Sequence, residues 1–183
     1  MGGTCFLDEN NYLLFLSHQT KFIQKWVDLP YGCERTEEDF DDLKEFDKIW
    51  KDILFKCKAF SDKNSLKNEV LYSGRIYREQ RNRDVFYNGL HASWSTIKGG
   101  FSEGSGFKAL AKKTPYKKFV IEYKMSETQY GFSLPKWFEL MQRYHKTAIS
   151  ELEGHEIDKI KREKEVVFPL NPEIKPDITV SPW

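Results

Sequence analysis

The sequence predicts an α+β protein, with a pair of amphipathic helices followed by a largely antiparallel or mixed sheet. Three observations lead there. Apolar residues recur at helical spacing over residues 11–27 and again from Thr36 to Cys57. From Val70 the pattern changes to short runs rich in β-branched and aromatic residues, separated by turn-forming clusters. Those runs mostly lack the long helical crossovers that a parallel sheet requires.

In the first helix Tyr12, Phe15, Leu16, Phe22, Ile23, Trp26 and Val27 share a face, and Asn10 or Asn11 is placed to cap its start. Pro30-Tyr31-Gly32 stops it. A second helix starts after Thr36, with Asp39 completing a weak capping box. It lines up Leu43, Phe46, Trp50, Ile53, Leu54 and Cys57. Two such helices either pack on the chain's own sheet or form a partner-binding arm. The polar run Ser61 to Asn68 marks a boundary, dividing a helical N-terminal extension, residues 1–65, from a sheet-bearing domain, residues 66–183.

Beyond that boundary, Val70 to Arg78 reads as a strand, Arg81 to Asp84 as a turn, and Phe86 to Trp94 as a second strand. Gly99 to Gly106 reads as a flexible loop, Phe107 to Lys113 as a short helix, and Lys118 to Lys124 as a strand. Leu134-Pro135 opens a helix running to about Glu153, with proline in the first turn, where a missing N–H does no harm. Gly154 ends it, and a charged loop to Arg162 leads into a strand from Glu163 to Pro169. Ile178 to Val180 adds an edge strand.

With 183 residues, 39% hydrophobic and 31% charged, the chain is long enough for a packed core and too apolar to be disordered. A net charge of +1 supplies no global field for nucleic acid or membrane. Cys5, Cys33 and Cys57 are odd in number and widely spaced, which suits reduced thiols rather than a disulfide frame or a zinc site. His18, His91, His145 and His155 show no metal-ligand spacing, so no metal is expected. No apolar run approaches a membrane span, no signal-peptide layout is present, and Phe6 stands where a myristoylation start wants Ser or Thr. A cytoplasmic protein is the expectation.

Three polar groups sit on or beside the predicted strands: Arg78 after Tyr77, the serines of Ser93-Trp94-Ser95, and Glu163 with Glu165. On one strand, Glu163 and Glu165 would point the same way, a few ångströms apart. Two carboxylates against the apolar Val166-Val167-Phe168 need a facing cation and hydroxyl donors, unless they lie on a solvated strand end. An arginine beside a tyrosine on a strand makes a fork for a diphosphate. Lys108, Lys112, Lys113, Lys117 and Lys118, interleaved with Tyr116 and Phe119, form either a nucleic-acid patch or a solvated helix end and turn.

The order of these groups resembles the ADP-ribosyltransferases of the arginine–serine–glutamate class, shared by many bacterial and phage toxins. The resemblance spans residues 70–170 and rests on Tyr77-Arg78, on Ser93-Trp94-Ser95 or Ser95-Thr96-Ile97, and on Glu163-Lys164-Glu165 leading into an apolar strand that ends at Pro169. Arg75 competes with Arg78 for the arginine position. The resemblance implies a split β-sandwich catalytic domain and NAD as substrate. Glu165 would hold the ribose 2′-hydroxyl and stabilise the cationic sugar, while Glu163 would orient the nucleophile and take its proton. Arg78 or Arg75 would clamp the NAD phosphates, Ser93 or Ser95 would hold Glu165, and Tyr77, His91 and Trp94 would border the cofactor, His91 at the nicotinamide. Glutamate at the Glu163 position is associated in the family with protein-arginine acceptors, though nucleobase acceptors in RNA stay open.

The function expected is therefore a toxin-like mono-ADP-ribosyltransferase, of the kind found in toxin–antitoxin or phage-conflict systems. Residues 154–162 would be its target-recognition loop. Its partners would be a macromolecular acceptor and an antitoxin or inhibitor protein. The same constellation permits an NAD glycohydrolase. A non-enzymatic RNA- or protein-binding module, with both glutamates structural, is the reading outside enzymes.

Overall fold

The computed structural model describes residues 8–29, 37–64, 69–80, 89–99, 118–170 and 179–181. Asp8, in extended conformation, caps α1 (Glu9–Ser17) by accepting from the Asn11 backbone N–H at 2.8 Å and its side-chain amide at 3.0 Å. The cap thus stands ahead of the asparagines expected to supply it. The one helix expected over 11–27 is two. Ser17 Oγ donates to Leu14 O at 2.7 Å and Thr20 Oγ1 to Ser17 O at 2.8 Å, and such back-bonding competes with the helical ladder at the break before α2 (Thr20–Val27). The third helix, α3 (Glu37–Asn64), continues into residues expected as linker.

The sheet has seven strands in the order β1-β5-β6-β3-β2-β4-β7, and every registered neighbour pair is antiparallel. They are β1 (Leu71–Tyr72), β2 (Arg75–Gln80), β3 (His91–Ser95), β4 (Lys118–Lys124), β5 (Gly131–Ser133), β6 (Glu165–Pro169) and β7 (Thr179–Ser181). The architecture is α+β, as the sequence predicts. The strand expected from Val70 to Arg78 breaks at Ser73-Gly74, so β1 pairs with β5 while β2 pairs with β4. The sequence reading missed β5. A Cβ on Gly131 would lie 2.5 Å from Val166 Cγ1 and 2.8 Å from Val167 O, so glycine is what lets β5 approach β6.

α4 (Leu134–Tyr144) carries its proline in the first turn as expected but stops at Tyr144 instead of Glu153. The expected loop at 154–162 is a helix, α5 (Gly154–Glu163). A capping box starts it: the Glu153 side chain accepts from the backbone N–H of Glu156, whose carboxylate accepts the Glu153 N–H at 2.6 Å.

Strand alternation sorts the side chains onto two faces. One face carries Phe132 and Val167 into a core shared with the helices, including Leu16, Ile23, Trp26, Trp50 and Trp137. The helices therefore pack on the chain's own sheet. The opposite face gathers Ile76, Trp94, Ile121, Val166 and Phe168. Among the described residues no helix is long and apolar enough to cross a membrane. Cys57 is a buried free thiol. Cys5 and Cys33, the 81–84 turn, the expected helix at 107–113 and lysines 108, 112, 113 and 117 lie outside the described residues.

Candidate functional site

Glu165 is the first residue of β6, and the way the chain reaches it differs from expectation. Glu163 is the last residue of α5, and Lys164 turns the chain with φ 49° and ψ 44°, the only non-glycine with positive φ among the described residues. Holding a lysine in the left-handed region costs about 1 kcal/mol, and the surroundings secure it. Ser95 Oγ donates to Glu163 O at 2.6 Å and the Thr96 N–H to Lys164 O at 3.2 Å, so the end of β3 caps the end of α5. Glu163 and Glu165 are thus not alternate residues of one strand. A helix end and a strand start place them separately.

Both are buried, Glu163 to 1% and Glu165 to 2% exposure. The Glu165 carboxylate accepts from Trp26 Nε1 at 2.7 Å and from the Ser93 side chain. Burial pushes its pKa above the ordinary carboxylate value, against the opposing pull of the Ser93 and Trp26 hydrogen bonds and the charges of Lys159 and Arg78. The carboxylate of Glu163 has the Arg162 guanidinium 3.9 Å away.

Of the two candidate serines, Ser93 reaches the carboxylate. Ser95, fully buried, serves backbone: it holds Glu163 O and accepts the Ile97 N–H at 3.1 Å. Of the two arginines, Arg78 is half-buried and pairs with Ile121, so it springs from the face of Ile76 and Trp94, and its guanidinium donates to Ser93 O at 2.6 Å. Arg75 is exposed and ion-paired to Glu122. Tyr77 is half-buried and sits opposite Ser95 in the sheet.

Two expected cofactor neighbours lie elsewhere. Trp94 is fully buried on the opposite face, its indole N–H on Phe168 O at 3.0 Å. His91 shares the face of Ser93 and Ser95, but stands about 13 Å from Ser95 along the strand. Its ring Nδ1 is 2.7 Å from Asp47 Oδ1, and its backbone N–H donates to the same oxygen at 3.0 Å.

The sheet loosens where these groups meet. β3 pairs with β6 through five registered positions and β2 pairs with β4 through six, yet β2 and β3 share only Tyr77↔Ser95. Arg78 and Ser93 lie just past that pair, where the two strands part. There the Arg78 guanidinium donates to the Ser93 carbonyl.

Sequence reasoning missed Trp26 and Lys159. Trp26 was legible only as one residue of an apolar helix face, since its partner is 139 positions away. Lys159, on α5, donates to Val27 O and fell in an expected loop. Asp47 carried a signal that went unused. It lies at helical spacing among the buried Leu43, Trp50 and Leu54, where an acid needs a buried partner. The ligand atoms of Asp28, His155 and Glu156 lie within 4.8 Å of one another, but two of these residues are exposed and Glu156 already closes the capping box.

No protein-family model, curated protein or solved structure matches this chain.

Proposed function

We propose that the chain is a toxin-like, NAD-dependent mono-ADP-ribosyltransferase with a split β-sandwich core, transferring ADP-ribose to a macromolecular acceptor. One observation carries the reading. The arginine strand β2, the serine strand β3 and the glutamate strand β6 are consecutive neighbours, with the Ser93 hydroxyl on Glu165 and the Arg78 guanidinium on the Ser93 carbonyl.

NAD enters along the seam where β2 and β3 part, beside the half-buried Arg78, Ser93 and Tyr77. Arg78 binds the diphosphate as a guanidinium fork. Glu165 accepts the ribose 2′-hydroxyl. As the bond between nicotinamide and ribose C1′ breaks, nicotinamide leaves with the electron pair and positive charge grows on the sugar. The Glu165 carboxylate opposes that charge in a water-poor site, where such interactions are strongest. The acceptor then attacks C1′, and Glu163 receives its proton. Glu165 must be ionised for this, so its raised pKa sets the acid limb of activity.

Protein arginine is the favoured acceptor, a nucleobase of RNA the other. An antitoxin or inhibitor protein would be the neutralising partner. Hydrolysis is the second reading, because the Glu163 side chain, only 2% exposed, offers more room to water than to a macromolecule.

The test incubates labelled NAD and a cell extract with the protein or its Glu165→Gln form, then separates protein from RNA. Label in either fraction that depends on Glu165 supports the transferase and names the acceptor class. Released nicotinamide without label assigns NAD hydrolysis. Neither product, with retained RNA or protein binding, leaves the binding module.

A further inference from the structure

Trp26 belongs to the helical layer, the part of the chain that the sequence sets apart as an extension. Its indole is 4% exposed and held edge-on by two rings of α3, Trp50 at 5.5 Å and 81° and Phe46 at 5.8 Å and 81°. That packing fixes the direction of the single indole N–H, which meets Glu165 Oε1 at 2.7 Å. α2 is fastened to the element that delivers Glu165, because Lys159 of α5 donates to the carbonyl of Val27, next to Trp26.

An indole offers one donor and no acceptor, and it neither titrates nor rotates as a serine hydroxyl does. Together with Ser93 it holds the carboxylate from the helical layer and from the sheet. An ionised carboxylate has about four lone-pair sites, so two donors leave acceptor capacity for a substrate hydroxyl.

We propose that Trp26 is a positioning residue for Glu165. Its N–H fixes the carboxylate's orientation and favours its ionised form, so the N-terminal helices are part of the active unit and not an appended arm. This rests on the transferase reading for its effect on turnover, but not for its effect on Glu165.

The test compares Trp26→Phe with Trp50→Phe in the full chain. Trp26→Phe keeps an aromatic ring against Trp50 and Phe46 and deletes the donor together with part of the bicyclic ring. Trp50→Phe makes the same trim in the same cluster and keeps a ring against Trp26, and it removes an indole N–H that has no hydrogen-bond partner among the described residues.

In Trp26→Phe, kcat for nicotinamide release is expected to fall about tenfold, the change that losing one charged hydrogen bond produces, with KM for NAD within about twofold. The acid limb of kcat should move to higher pH, and the Glu165 carboxyl, followed by carbon NMR without NAD, should titrate at higher pH. Trp50→Phe should move neither. Unshifted titration in Trp26→Phe, or an equal shift in Trp50→Phe, overturns the proposal.

A measurement on the wild-type chain guards against a variant that fails to fold. The Trp26 indole N–H resonance should move as Glu165 titrates, and that movement should vanish in Glu165→Gln; a flat resonance overturns the proposal. If the wild-type chain releases no nicotinamide while these titrations behave as expected, the transferase reading fails and the positioning of Glu165 stands.

Discussion

β3 meets a buried carboxylate at each end, and the two are held in opposite ways. At the His91 end stands Asp47, 4% exposed, with Lys51 Nζ 2.7 Å from one oxygen and two donors of His91 on the other. Burial alone would raise its pKa, but the Lys51 and His91 hydrogen bonds outweigh burial and the net shift is downward. At the Ser95 end stands Glu165, 2% exposed, whose hydrogen-bond donors are the neutral Trp26 and Ser93. There burial wins and the pKa rises. Both side chains are closed to solvent, but Asp47 lies nearer the surface beside the exposed Lys51 while Glu165 lies deep in the fold, so burial and compensation both differ. A fully compensated carboxylate is an anchor, here clamping α3 to β3. An under-compensated one is destabilising to keep, and on the proposed reading it is the group that meets developing charge.

The largest expected effect tests that contrast directly. Glu165→Gln should lower turnover by about 10²–10³-fold, the scale of losing one preorganised electrostatic group. It should also stabilise the fold by ~1 kcal/mol at neutral pH, as relieving a strained functional group often does. The sign follows from linkage: the native state binds the Glu165 proton more tightly than the unfolded chain, whose ordinary value is 4.5. Wild-type stability therefore falls as pH rises from that value through the raised one, and the gain in Gln should vanish in acid. Melting temperature against pH for both proteins checks it; a loss of stability at neutral pH would break the comparison.

Asp47→Ala should do the opposite, costing about 3 kcal/mol of stability by stripping a buried charged network of one member. Denaturant midpoints read this. Next come the serines. Ser93→Ala should reduce turnover about tenfold through the lost hydrogen bond to a charged group. Ser95→Ala should instead cost about 2 kcal/mol of stability, because a buried carbonyl and N–H lose their partner. Equal kinetic loss in both would return the motif serine to question.

The anchor end also predicts acid sensitivity. Burial holds the His91 pKa below its ordinary 6.5 despite the Asp47 hydrogen bond, and that of Asp47 lies below its ordinary 3.8. Both lowered values give stability that is present above the unfolded pKa. It fades as pH drops through 6.5 for His91, and further below 3.8 for Asp47. His91→Gln should flatten the upper part of that fall, measured as unfolding free energy between about pH 7 and 5. Smallest of all, Arg75→Ala should change stability by less than about 1 kcal/mol, since its ion pair is exposed, and should weaken NAD binding less than Arg78→Ala in calorimetry.

Periodicity and turn chemistry suffice for much of the architecture. The helical stripes of α2 and α3, the strand at 118–124, the first-turn Pro135 and the apolar run after Glu165 are local patterns, and each survives in the structure. The inventory of chemical groups is local too: residue type makes Arg78 a fork for a diphosphate and the serines partners for a carboxylate, while NAD enters only with the family resemblance. Local patterns also misled. Residues 154–162 are charged and open with glycine, yet form a helix once Glu153 and Glu156 close a capping box.

What no local pattern contains is which distant groups meet. Glu163 and Glu165 share a strand by sequence spacing. They part because Ser95 and Thr96, far along the chain, cap the helix end and hold Lys164 left-handed. Ser93 and Ser95 are equivalent by alternation, and only pairing with β6 and the end of α5 gives one the carboxylate and the other the backbone. Trp26 looks like any core tryptophan until folding points its one N–H at Glu165. The sequence by itself determined the periodic faces and the inventory of reactive groups, since both depend on near neighbours along the chain. The tertiary structure decided which carboxylate is compensated, because burial and hydrogen bonding are properties of the packed neighbourhood.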